Sequence, residues 1–167
     1  VAVLRSLLPP DCLLMPAIKA NAYGHGAVPV AKELKRLGIF SFCVASVQDG
    51  VELRHHGVMG EILILGYTEV EAFGALRRYH LTQTVVDSIY ARQLHAYGKT
   101  LKVHLKIDTG MRRLGVWCED KEDILRIFAY ENLRIEGMYT HLCAADDPGQ
   151  KAFTSSQIER FYGVVQA

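Results

Sequence analysis

The stretch Leu101-Lys-Val-His-Leu-Lys-Ile-Asp108 alternates apolar residues with Lys102, His104, Lys106 and Asp108, so a strand here has one apolar and one polar or charged face. An interior strand of a parallel sheet ordinarily reads apolar on both faces. Two arrangements fit. The segment is either an edge strand with one wet face, or a barrel strand whose inward face points charged groups toward a ligand at the C-terminal mouth.

Similar short β-rich runs lie on either side, at residues 13–19, 40–46, 61–67, 81–86 and 133–141. Helical patterns separate most of them. Ala27, Val30, Ala31 and Leu34 recur at helical spacing, with Pro29 tolerable in a first turn, and residues 47–56, 69–78, 88–98, 121–131 and 156–167 also fit helices. Residues 1–8 read as the tail of another. Strands and helices in alternation with short connections predict parallel strands joined by right-handed crossovers. That leaves an open doubly wound sheet or a barrel. Lys19, Asp108 and His141 each stand at the C-terminal end of a predicted strand, where a barrel gathers its functional groups. We read the chain as α/β, a (β/α)8 TIM-type barrel of which about six βα units are present, with these three residues converging on one mouth.

With 167 residues, half of them hydrophobic, the chain is long enough for one domain with a substantial core. Its formal net charge is +1, with Lys and Arg scattered, so it carries no electrostatic footprint for nucleic acid or an anionic membrane surface. A small molecule is the better-fitting partner. Cys12, Cys43, Cys118 and Cys143 show no CxxC spacing, and three of the four sit in apolar surroundings suited to a small buried hydrophobe; we read them as reduced and the domain as cytoplasmic. No apolar run approaches the roughly 18 residues that span a bilayer. The chain lacks an initiator Met, so an upstream membrane module is compatible with the sequence.

The chemistry concentrates around Met15-Pro-Ala-Ile-Lys-Ala-Asn-Ala-Tyr-Gly-His-Gly26. Lys19 ends an apolar run just before a glycine-bounded turn. Desolvation disfavours the ammonium, and a neutral amine forms Schiff bases with aldehydes such as pyridoxal phosphate. Taken alone, a strand-end lysine more often simply reaches into water. Two further segments stand with it: Lys106-Ile-Asp-Thr-Gly-Met-Arg-Arg-Leu-Gly115 and Thr140-His-Leu-Cys-Ala-Ala-Asp146.

In order and spacing these three segments resemble the alanine racemase family, and the likeness includes Phe42-Cys-Val-Ala-Ser46 and Ile62-Leu-Ile-Leu-Gly66. The first motif is close to the family signature and is the most specific. The resemblance implies a pyridoxal 5'-phosphate enzyme that interconverts L- and D-alanine through an aldimine and two-base proton transfer at Cα, supplying D-alanine for the cell wall. It makes Lys19 the cofactor anchor and one catalytic base. Tyr23 would hydrogen-bond the cofactor phosphate, Arg113 would stabilise its phenolic oxygen, His141 would lie beside its ring, and Leu65 would form an apolar wall. Lys106 matches a lysine that many members carbamylate, which reverses its charge so that it attracts Arg113. We read Arg112 as solvated. The other histidines, including His55 and His56, lack metal-ligand spacing and read as surface groups, so no metal is expected.

The resemblance further implies a second base, a tyrosine from a C-terminal β domain of the partner subunit in a homodimer. No segment here matches that domain or the last two barrel strands. We therefore expect residues 1–167 to be a partial barrel domain, inactive by itself. A serine racemase of the vancomycin-resistance type shares the barrel, and nothing in these residues separates a methyl from a hydroxymethyl substrate. A small barrel that binds pyridoxal phosphate for cofactor homeostasis matches the first two motifs less well.

Overall fold

A computed structural model describes every residue from Val1 to Ala167, in two compact units, Val1–Thr82 and Gln83–Ala167. The first unit begins with the short helix α1 (Ala2–Ser6) and an extended segment that joins the sheet through an isolated parallel bridge between Ala17 and Cys43. There, Ile18 N donates to Cys43 O and Cys43 N to Pro16 O, both at 2.9 Å. A strand over residues 13–19 was expected, but Pro16 has no N–H for a ladder and the chain turns at Lys19, so only the bridge forms.

The tight turn α2 (Lys19–Tyr23) and helix α3 (Ala27–Arg36) lead to β1 (Ser41–Val44), α4 (Val47–His55), β2 (Glu61–Ile64) and, after a 3₁₀ turn at Val70–Ala72, α5 (Phe73–Arg78). Strands β1 and β2 pair in parallel, from Ser41 opposite Glu61 to Val44 opposite Ile64. Phe42, Val44, Ile62 and Ile64 are buried, and Leu53 of α4 and Phe73 and Leu76 of α5 supply helix faces to the core. Helix α4 starts with a capping box: the Ser46 hydroxyl accepts from Asp49 N at 3.2 Å, and the Asp49 carboxylate accepts from Ser46 N at 3.1 Å.

Arg54 ties the loops of this unit. Its guanidinium donates to the carbonyls of Val58 and Gly60, before β2, and of Tyr79 and His80, after α5, at 2.8–2.9 Å. Burial pulls the Arg54 pKa down, with Glu61 opposing.

The second unit contains β3 (Thr82–Val85, shared at its first residue), α6 (Ser88–Ala96), β4 (Leu101–Asp108), β5 (Val116–Trp117), α7 (Lys121–Phe128), β6 (Leu133–Tyr139), a 3₁₀ turn at Pro148–Gln150, and α8 (Lys151–Val165). Strand β4 is parallel to β3 on one side and to β6 on the other, so it is no edge strand. Its alternation is that of an interior strand with a polar face: Lys102 and His104 are half-buried, while Lys106 and Asp108 are 4% and 7% exposed. Gly137 of β6 faces His104, where an added Cβ would come within 3.0 Å of the imidazole.

The two-residue strand β5 was not expected; it pairs Ile107 with Val116 and Asp108 with Trp117, folding the intervening loop onto the end of β4. His141 lies beyond the end of β6, because that strand stops at Tyr139. No helix is long and apolar enough to cross a membrane.

Candidate active site

The six residues expected to serve a cofactor divide between the units, Lys19, Tyr23 and Leu65 in the first and Lys106, Arg113 and His141 in the second. Lys19 opens a turn whose next four residues, Ala20, Asn21, Ala22 and Tyr23, have φ between 50° and 53°. Left-handed backbone costs a non-glycine residue roughly 1–2 kcal/mol, so neighbouring contacts must impose it. Ala22 N donates to Ile18 O at 2.9 Å, Gly26 N to Asn21 O at 2.8 Å, and Gly24 ends the turn at φ 91°. The Asn21 side chain accepts from Ala27 N at 2.7 Å, satisfying the first N–H of α3. Concentrated strain of this kind is characteristic of functional turns.

Lys19 is half-buried beside Ile18, which is 3% exposed. Across the bridge, burial pushes the Cys43 thiol up to about 11, opposed by the Lys19 ammonium. Tyr23 is 62% exposed, and its phenol has no hydrogen-bond partner within the protein. Leu65, one residue past β2, is half-buried and donates its N–H to Val44 O at 2.9 Å.

In the second unit the Lys106 amine lies 5.6 Å from the Tyr139 ring centre. Burial drives its pKa below the usual 10.5 and the Arg113 cation acts in the same direction, against Asp108 and Cys143. Asp108 organises the loop that follows: its Oδ1 accepts from Gly110 N at 2.9 Å and Arg112 N at 3.1 Å. Gly115 closes that loop at φ 115°, and a Cβ there would stand 2.8 Å from Asp108 N and 2.9 Å from Lys106 O. Only glycine lets the loop lie this close to β4. The exposed Arg113 guanidinium forms no ion pair with a carboxylate.

Arg112 is exposed, as expected, and in addition its guanidinium sits 3.8 Å from the Trp117 ring centre, with its backbone left-handed at φ 59°. A cation over an indole face is held by the ring quadrupole. His141 is exposed, and its carbonyl accepts from Gln157 Nε2 at 3.1 Å. The loops after β4 and β6 meet where the Thr109 and Thr140 hydroxyls bond at 2.7 Å. Sequence reasoning missed Gln157 and Arg160, which bond to Thr109 from α8. The available signal was a glutamine on the helical stripe of Phe153 and Val164.

The cysteines are free, but only Cys118 is buried and Cys43 half-buried; Cys12 and Cys143 are exposed, contrary to three core positions. His55 and His56 are exposed as expected, with His55 Nε2 3.0 Å from the Tyr79 hydroxyl.

The family described as alanine racemase, N-terminal domain, matches residues 1–167. The chain belongs to this family. An amino-acid racemase of Enterococcus faecalis is 43% identical over 99% of the chain and 24% of its own length. An alanine racemase of Carboxydothermus hydrogenoformans is 47% identical over 88% of the chain and 41% of that protein. For a serine/alanine racemase of Enterococcus gallinarum the figures are 40%, 95% and 23%. Among solved structures, alanine racemase of Clostridium difficile 630 in complex with cycloserine superposes with a TM-score of 0.90 at 34% identity, over 97% of this chain and 46% of that one. The fold is thus the α/β barrel domain of alanine racemases, of which this chain carries part. The chain spans between 23% and 41% of the length of these relatives.

Proposed function

We propose that this chain is the cofactor-binding barrel portion of a pyridoxal-phosphate-dependent racemase that interconverts L- and D-alanine. The observation that carries the reading is Lys19, at the head of a left-handed turn that also presents an unpartnered Tyr23 phenol. The first unit offers an amine for an aldehyde and a phenol for a phosphate oxygen, and the second offers, in Arg113, which no carboxylate neutralises, a permanent cation for a phenolate. These groups fit pyridoxal phosphate.

When bound, that cofactor supplies the aldehyde and the electron-withdrawing ring that make a substrate Cα–H acidic. Lys19 would anchor it and, once released by the incoming amino acid, its neutral amine would exchange a proton at Cα. Tyr23 would donate its hydroxyl proton to the phosphate, Leu65 would cover the ring and exclude water, and His141 would support the ring from the side. Lys106, held toward its neutral form by burial, is suited to react with carbon dioxide: its lone pair forms the N–C bond and a nitrogen proton leaves to water. The resulting anion would hold Arg113 in place. Inversion needs a second proton-handling group on the opposite face of Cα. We assign that group to the remainder of a homodimeric enzyme.

The test is racemisation of L-alanine by the enzyme that contains this domain, with Lys19→Ala as control. Turnover lost in the variant supports the reading, and turnover retained overturns it. A second substrate has a specific basis, because one relative is a serine/alanine racemase at 40% identity. Faster turnover of L-serine than of L-alanine in the same assay would move the assignment to serine.

A further inference from the structure

Helix α8 places a glutamine where its pattern calls for an apolar residue. Gln157 is 0% exposed, on the stripe that includes Phe153 and Val164. A buried carboxamide is costly unless its donors and acceptor are used. Here they are used by two loops. Its Nε2 donates to Thr109 Oγ1 at 3.2 Å, in the loop after β4, and to His141 O at 3.1 Å, after β6. Its Oε1 accepts from Cys143 N at 3.3 Å. One helical turn on, Arg160 donates to Thr109 O at 3.0 Å, so α8 grips that residue by both its side chain and its carbonyl.

We propose that Gln157 is a positioning residue: from α8 it holds the loop that carries Arg113 and the loop that carries His141 in fixed register. The proposal rests on the racemase reading for the roles of Arg113 and His141. The physical link runs through Thr109. This residue leads directly from Asp108 into the turn in which Gly110 N and Arg112 N bond to the Asp108 carboxylate. A loop anchored at Thr109 has little freedom to carry Arg113 away. No hydrophobic side chain of similar size replaces the brace, because the bridge needs two donors and one acceptor on a single group.

Gln157→Leu keeps the bulk and removes every hydrogen bond. Two measurements decide the matter, amide hydrogen exchange of the protein without cofactor and equilibrium dialysis of pyridoxal phosphate. Positioning predicts that exchange accelerates about tenfold or more at Cys143, and also at Gly110 and Arg112, which Gln157 does not touch, with Val103 and Leu105 unchanged. Affinity for pyridoxal phosphate falls about tenfold or more at unchanged stoichiometry. Acceleration confined to Cys143, or an unchanged affinity, overturns the proposal. Where the wild-type protein takes up no pyridoxal phosphate, the racemase reading fails, and exchange at Gly110 and Arg112 alone decides whether the brace exists. If Gln157→Leu raises exchange throughout the second unit, Gln157→Glu is the substitute. It keeps the acceptor for Cys143, so the brace predicts protection retained there and lost at Gly110 and Arg112; protection retained at all three overturns it.

Discussion

The unmodified Lys106 amine sits where a cation is disfavoured, and this makes its protonation measurable as stability. Burial lowers its pKa in the folded state below the 10.5 of the unfolded chain, with Arg113 adding and Asp108 opposing. The unfolded state therefore binds more protons in the window between the two values, and stability contributed by this group rises with pH there. Its contribution is full above 10.5 and is lost as pH falls through the folded value. Lys106→Met should remove that alkaline rise, seen as denaturation midpoints across the window that converge with or exceed wild type at the lower pH. Cys43 runs the other way. Its thiol is raised from 9.0 to about 11, so its contribution is present below 9.0 and lost as pH climbs through about 11. Alkylation of Cys43 should titrate near that higher value, whereas titration near 9.0 would show that its surroundings are wetter than described.

At the scale of elements, two side chains hold turns whose sequences give no hint of them. Asn21→Ala removes the bond to Ala27 N and, as for a lost helix cap, should cost about 1 kcal/mol by thermal or urea denaturation. It should also weaken uptake of pyridoxal phosphate at Lys19, because the left-handed turn loses a restraint. Arg54→Met leaves the carbonyls of Val58, Gly60, Tyr79 and His80 without their shared donor. With hydrogen bonds to a charged group at stake, about 3 kcal/mol is the expected loss. A change below about 0.5 kcal/mol, the ordinary range for a surface position, would show that water replaces the guanidinium.

Strand β4 was legible because its polar alternation is local, and helix α4 because its helical pattern over residues 47–56 is local too. The turn at Ala20–Tyr23 was not legible. Alanine and tyrosine favour the right-handed region, and the bonds that override this come from Gly26 and Ala27. Arg54 and Gln157 escaped for a related reason, since their acceptors lie as far as 26 and 48 residues away in the chain. The apolar run before Lys19 misled by being apolar, while Pro16 limits it to a bridge.

For the whole molecule, the fold follows from helices and parallel strands in alternation, and family membership from a match along all 167 residues. The motifs that carried the resemblance could be read because each is contiguous: Lys19 to Gly26, Lys106 to Gly115 and Thr140 to Asp146. Alanine against serine could not be read, since the relatives that this chain matches include both kinds of racemase. We propose that Lys19, among the lysines of this chain, is the one that carries pyridoxal phosphate. The most direct measurement is to incubate the protein with pyridoxal phosphate, reduce with borohydride and map the modified peptide by mass spectrometry. The expected result is stoichiometric modification of Lys19, lost in Lys19→Ala without transfer to another lysine. Modification spread over surface lysines, or none at Lys19, would contradict it.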